Sequence, residues 1–152
     1  MKIRNIVDAF TRTFGKLKKS HTVKLDGQMI KLNLGCGLAV CGDWINVDGS
    51  LNALIAGRPG FVHRFMYRLS GANRYYSQDE YCRLLGQHRF IHHDLSYGIP
   101  VHDNTADFVY SSHFLEHLFR NDVENLLKDS FRVLKSGGVV RICVHDLEFA
   151  VL

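Results

Sequence analysis

The sequence predicts an α/β fold, a doubly wound and mostly parallel sheet of about five strands. Three observations predict it. Short apolar runs of strand type alternate with runs of helical spacing. A glycine turn, Gly35-Cys36-Gly37, closes the first of those strands. Acidic residues close the next two, Asp48 and Asp94. Strands separated by helices run parallel, and the helices cover both faces of the sheet.

The elements follow in order. Ile3, Ile6, Val7, Phe10, Phe14 and Leu17 recur at helical spacing, with Lys2, Arg4, Arg12, Lys16 and Lys18 mostly elsewhere on the wheel. This predicts a basic amphipathic helix over 2–18, within an N-terminal arm over 1–24. Such a helix either packs on the domain or docks on a membrane surface or partner. Met29–Leu34 reads as the first strand, and Trp44–Val47, ending on Asp48, as the second. Residues 50–88 form a helical insertion, with Phe61, Phe65 and Leu69 at helical spacing, and Tyr81, Leu84 and Leu85 likewise. Phe90–His92 is a third strand. Asp107–Tyr110 is a fourth, followed at once by a helix. The clearest helix spans 121–135, with Asn121 and Glu124 as a capping box. Gly137-Gly138 stops it, and Val139–Val144 is the fifth strand.

Composition bounds the answer. The chain has 152 residues, of which 46% are hydrophobic and 22% charged, as expected of one globular domain. The four cysteines show no C-x-x-C spacing, so a reducing cytoplasmic location is expected. No apolar run reaches the ~20 residues of a membrane span, and no signal-peptide pattern opens the chain. The net charge of +4 is uneven. Residues 1–31 hold eight Lys/Arg against two Asp, whereas 32–152 hold eleven against thirteen acidic residues. A basic end differs from a basic domain, and no nucleic-acid partner is expected.

In such a sheet, ligands bind beyond the carboxyl ends of the strands. There a glycine turn lets a ligand approach the backbone, and a carboxylate after the second strand can accept from both hydroxyls of a ribose. The dinucleotide pattern G-x-G-x-x-G fails, because its third glycine position is Val40. Asp48 arrives eleven residues after Gly37, where that pattern expects about 20. A cofactor with adenosine and an amino acid but no pyrophosphate fits the spacing better.

Residues 32–48 (LNLGCG, six residues, WINVD), 92–118 (HHDLSYGIPVHDNTADFVYSSHFLEHL) and 126–148 (LLKDSFRVLKSGGVVRICVHDLE) occur in that order. The chain thereby resembles the class I S-adenosylmethionine-dependent methyltransferases, in particular small ones associated with surface-glycan genes. The resemblance covers roughly residues 30–149 and implies a Rossmann-like sheet of order 3-2-1-4-5 over 25–152. It implies S-adenosyl-L-methionine as cofactor. Gly35, Cys36 and Gly37 would line its methionine and ribose part, and Asp48 would bind the ribose hydroxyls. Asp94 would accept from the adenine amino group, with Leu95 beside the ring. Ser111, Ser112 and His113 would border the sulfonium, with His113 as base. Asn33 stands where many relatives carry an acid, and His145 and Ser136 replace prolines common near the fifth strand. The family normally continues beyond the position of Leu152 with a helix and two strands, so the resemblance implies a truncated form of the fold. A homodimer covering the strand-five edge would answer that.

His113-Phe114-Leu115-Glu116-His117 also matches H-x-x-E-H, an inverted zinc-hydrolase motif. That reading needs a third ligand, for which His92, His93 and His145 are candidates; the methyltransferase resemblance assigns no metal. The expected function is therefore methyl transfer to a small polar or saccharide-type acceptor. The insertion would serve as a lid, and the basic arm as a contact with the inner membrane surface. The alternatives are a methyltransferase-like protein that binds cofactor or a partner without turnover, and a zinc hydrolase.

Overall fold

The computed structural model describes residues 11 and 13–146 of the chain. One sheet has the strand order β3-β2-β1-β4-β5, with β1 Lys31–Leu34, β2 Ile45–Asp48, β3 Arg89–His92, β4 Ala106–Ser112 and β5 Leu134–Cys143. Every pairing is parallel. Asn33 of β1 sits between Asn46 of β2 and Tyr110 of β4. The central strands are buried on both faces: all of β2 is buried, and so are three of the four residues of β1. That is the burial expected where helices cover both sides of a parallel sheet.

The main core gathers Leu32, Leu34, Val47 and Val109 from the strands with Val101, Leu126 and Val133 from outside them. Leu25 joins this core, and Val23 bridges to Val101 beside it. The long helix α4, Arg120–Val133, buries Leu126, Ser130 and Val133. Arg132 of α4 fastens the loop before β4. Its guanidinium donates to the carbonyls of Ile99 and Val101, both at 2.9 Å, and pairs with Asp103 and Asp129.

The insertion is helical as expected. It comprises α1 Leu51–Ile55, α2 Gly60–Met66, a 3-10 turn at Ala72–Arg74, and α3 Gln78–Gln87. These build a second small core from Leu51, Ile55, Ala56, Ala72, Tyr81 and Leu85. The helical spacing of Phe61 and Phe65 does not mark a buried face, for both rings are three-quarters exposed. At the N-terminus, residues 11 and 13–17 are helical and 18–20 form a turn. The rest of the expected 2–18 helix lies outside the described residues. Leu17 is exposed, and the buried Gly15 packs against Asp94.

Three local expectations need correction. No helix follows β4 at once, because His113 turns the chain with φ +51° and its N–H donates to the Cys143 carbonyl at 2.9 Å. A 3-10 turn at Leu115–His117 then precedes α4. Asn121 is not a cap: Phe119 holds the N-cap position without a side-chain bond, while Arg120 pairs with Glu124 along the first turn. Nor do Gly137 and Gly138 stop the helix. It ends at Val133, and β5 begins immediately and runs through both glycines. Ala106 faces Leu134, but Phe108 already faces Val139, so the stretch 135–138 bulges from the ladder. A Cβ on Gly138 would lie 3.2 Å from the Asp107 carbonyl oxygen and 2.8 Å from a Leu134 methyl. The glycines serve a bulge where backbone meets backbone.

Candidate functional site

Because all five strands are parallel, their carboxyl ends share one edge of the sheet, and β1 and β4 meet there at the switch in strand order. Every expected cofactor residue lies on or just beyond those ends. Leu34 leads into the turn, where Gly35 (φ +65°) and Gly37 (φ +54°) both take left-handed conformations. A side chain is disfavoured at both. The Gly35 N–H donates to the Val47 carbonyl at 2.9 Å, tying the turn to β2.

Asp48 organises this corner. It is 8% exposed, and its Oδ2 accepts from the Gly37 N–H at 2.8 Å while Oδ1 accepts from the Ser50 N–H at 2.7 Å. A carboxylate has about four acceptor positions, so each oxygen keeps capacity for a ligand hydroxyl. Asn33 acts on the loop that follows. Its amide donates to the Ala39 carbonyl and to Asn46 Oδ1, at 2.9 and 3.0 Å. Cys36 is buried, and its thiol is pushed well above its ordinary value by burial, then by the charge on Asp48. It is a neutral wall of the turn, not a nucleophile.

On the β3 side, Asp94 Oδ1 accepts from the Ser96 N–H and hydroxyl, at 3.1 and 2.8 Å. Leu95 is buried in the main core. Gly49 lies against this segment, its would-be Cβ 3.5 Å from Asp94 Cα. His92 pairs in register with Asp48. It is 7% exposed, yet neither ring nitrogen has a hydrogen bond of ordinary geometry. Burial first, then Lys18, hold its pKa below the ordinary value; burial does the same for His93.

On the β4 side, the Ser111 hydroxyl donates to the Leu34 carbonyl, and Ser112 pairs with Cys143. Beyond them Phe114 lies on the glycine turn, where a Cβ at Gly35 would fall 2.0 Å from its Cγ. His113 Nδ1 lies 3.2 Å from His145 Nδ1 and 3.6 Å from Glu116 Oε1, and His145 Nδ1 lies 2.6 Å from that same oxygen. His117 is no member of this group, so the H-x-x-E-H residues do not converge as a set. Sequence reasoning missed the place of Phe114, and it weighed His92 only as a metal ligand. Nothing in either residue type signals a ring laid over a glycine or a histidine buried in register with Asp48.

A buried carboxylate thus stands beside an open glycine turn at the switch point of a parallel sheet, the place where α/β domains bind their ligands. Residues 57–142, more than half of the chain, match the family of the methyltransferase domain. The chain belongs to that family, as a class I domain with S-adenosylmethionine as its cofactor. No curated protein matches the sequence. Among solved structures, a candidate S-adenosyl-L-methionine-dependent methyltransferase from Methanococcus maripaludis is 18% identical, with a TM-score of 0.46; the alignment covers 91% of this chain and 55% of that one. A complex between the Haloferax volcanii Trm112 methyltransferase activator and a candidate methyltransferase also aligns, at 17% identity and a TM-score of 0.47, covering 92% and 59% of the respective chains. The chain thus spans less than two thirds of the length of these solved relatives.

The residues fit the cofactor. A Cβ on Gly37 would meet nothing within 4 Å, so the turn opens onto free space beside the Asp48 carboxylate. The buried ring nitrogens of His92, without a hydrogen bond of ordinary geometry, belong to the next strand, in register with Asp48.

Proposed function

We propose that this domain transfers a methyl group from S-adenosylmethionine to a small polar or saccharide-type acceptor. The observation that carries the reading is Asp48, buried, oriented by two backbone N–H groups, and facing the open turn at Gly37. When bound, the cofactor supplies a methyl group already activated by a sulfonium. Asp48 would accept from the ribose hydroxyls. Asp94 and Leu95 would hold the adenine, and Gly35 to Gly37 the methionine end. Ser111, Ser112 and His113 would border the acceptor. For such a displacement, alignment is the main task of the protein. A hydroxyl acceptor also needs its proton removed, and His113 is the nearest imidazole to the end of β4.

The acceptor class is supported by the insertion, which exposes Phe61, Phe65 and Tyr75 among Arg64 and Arg68. Aromatic faces suit sugars, and guanidinium groups suit phosphates. The same surface supports contact with anionic lipid. No helix among the described residues is long and apolar enough to cross a membrane, so that contact would be peripheral. Exposed Val139 on the edge strand β5 supports pairing with a second copy.

Calorimetric titration of S-adenosylmethionine and S-adenosylhomocysteine tests the reading, with Asp48→Asn alongside. Saturable binding weakened by the substitution is expected. A folded protein that binds neither compound would end it.

A further inference from the structure

At the carboxyl ends of β4 and β5, three side chains converge beyond the glycine turn and Asp48; one of them, His113, is the imidazole placed beside the acceptor above, and an ion on its Nδ1 would replace its role as base. His113 follows β4 directly, Glu116 lies in the 3-10 turn beyond it, and His145 stands two residues past β5. The Nδ1 atoms of the two imidazoles and Glu116 Oε1 lie within 4.8 Å of one another. Among the described residues this is the one such group of three potential metal ligands.

Hydrogen bonding alone serves the group poorly. A proton on His145 Nδ1 points in line at Glu116 or at His113, not at both. The imidazole centroids stand 4.0 Å apart, and each ring side chain is more than half exposed, so the group is open to an ion from solvent. A cation satisfies all three lone pairs at once. With metal–ligand bonds of about 2.1 Å, ligand atoms stand roughly 3.0–3.4 Å apart. The 3.2 Å contact between the two imidazoles falls within that range; the 3.6 Å contact of His113 with Glu116 would close a little, and the 2.6 Å contact between His145 and Glu116 would open. The backbone holds the arrangement. The left-handed turn at His113 is fixed by its N–H bond to Cys143, which ties the exit of β4 to the end of β5.

We propose that His113 Nδ1, Glu116 Oε1 and His145 Nδ1 form a three-ligand site for a divalent transition-metal ion, with zinc as the best match. Two imidazoles and one carboxylate are the donor set of an ion with open positions. The three residues stand at the ends of β4 and β5, with His113 directly after Ser112, on the side assigned to the acceptor. An acceptor with oxygen donors would complete the coordination there, a consequence that rests on the methyl-transfer reading. Metal binding itself does not. The linear H-x-x-E-H reading names His117 as a ligand; the geometry replaces it with His145.

The test titrates the whole chain with zinc by calorimetry and with cobalt(II) by visible spectroscopy, without S-adenosylmethionine. Wild type, His145→Ala, Glu116→Gln and His117→Ala are compared, with circular dichroism to confirm folding. One ion per chain is expected, with tetrahedral-type cobalt bands. Binding should weaken more than about ten-fold in His145→Ala and Glu116→Gln and stay unchanged in His117→Ala. Absence of saturable binding by folded wild type would overturn the site and leave a hydrogen-bonded cluster. So would binding that survives His145→Ala. A parallel titration with S-adenosylmethionine keeps failure of the metal site distinct from failure of the methyltransferase reading.

Discussion

The ring of Phe114 rests on Gly35, so that a Cβ at position 35 would fall 2.0 Å from Cγ of that ring. The first glycine of the turn therefore answers to the protein's own packing, whereas the second, Gly37, opens onto free space.

Gly35→Ala should accordingly destabilise the fold by about 2–3 kcal/mol, adding a steric clash to the strain of a left-handed residue. Adding Phe114→Ala removes the clash, so the double variant should lose less than the sum of the single losses. Urea denaturation of the four species measures this. Strict additivity would mean that the ring does not rest there in solution.

Gly37→Ala meets no neighbour, and only the left-handed backbone opposes it, at about 1 kcal/mol. The protein should stay folded yet bind S-adenosylmethionine more weakly, because the methyl projects into the space beside Asp48. Calorimetry reads the affinity. An unchanged value would place the cofactor away from this turn.

Acid should weaken the fold in a defined window. His92 and His93 are buried, and both have folded pKa values below the ordinary 6.5. The unfolded chain then binds more protons than the folded one, so stability is full above about 6.5 and declines as pH falls toward the lowered values. Lys18 adds to the depression at both imidazoles, and His92 and His21 add at His93; the Gly49 backbone, then Asp48 and Asp94, oppose it at His92, and Asp94 opposes it at His93. Chemical denaturation at pH 7.5 and 5.5 should show the loss, and His93→Gln should flatten it. A slope unaltered by that substitution would assign the loss elsewhere.

Arg132 holds two backbone carbonyls from the loop before β4. Arg132→Met should cost about 1–2 kcal/mol, mostly from carbonyls left without donors; the exposed pairing with Asp103 adds little. A melting temperature within a degree of wild type would contradict this.

Phe61 and Phe65 stand one turn apart on α2 and are exposed. If this face meets lipid, the protein should float with anionic liposomes at low salt, and Phe61→Ser with Phe65→Ser should reduce the floated fraction severalfold. No flotation of wild type at low salt would remove the membrane reading.

The five strands and their order of appearance were legible in short apolar runs, and the corner of the site in the spacing of Gly35, Gly37 and Asp48. Those signals are local: a strand writes its burial into consecutive residues, and a left-handed turn demands glycine whatever surrounds it. The glycine pair at 137–138 misled because the same residues serve a helix stop or a bulge, and only pairing with β4 decides which. The spacing of Phe61 and Phe65 marked a helix correctly, but periodicity shows a face without showing what covers it, and both rings are exposed.

The α/β class, the turn at the end of β1 and the carboxylate at the end of β2 are all written in the order of residues. Folding in three dimensions sets the rest: Phe114 lies on Gly35, His92 is buried in register with Asp48, and His145 rather than His117 joins His113 and Glu116. Each of these unites residues far apart in the chain or sets aside a near neighbour. Such contacts depend on how parallel strands bring their ends together in space, and no local pattern of side chains encodes that.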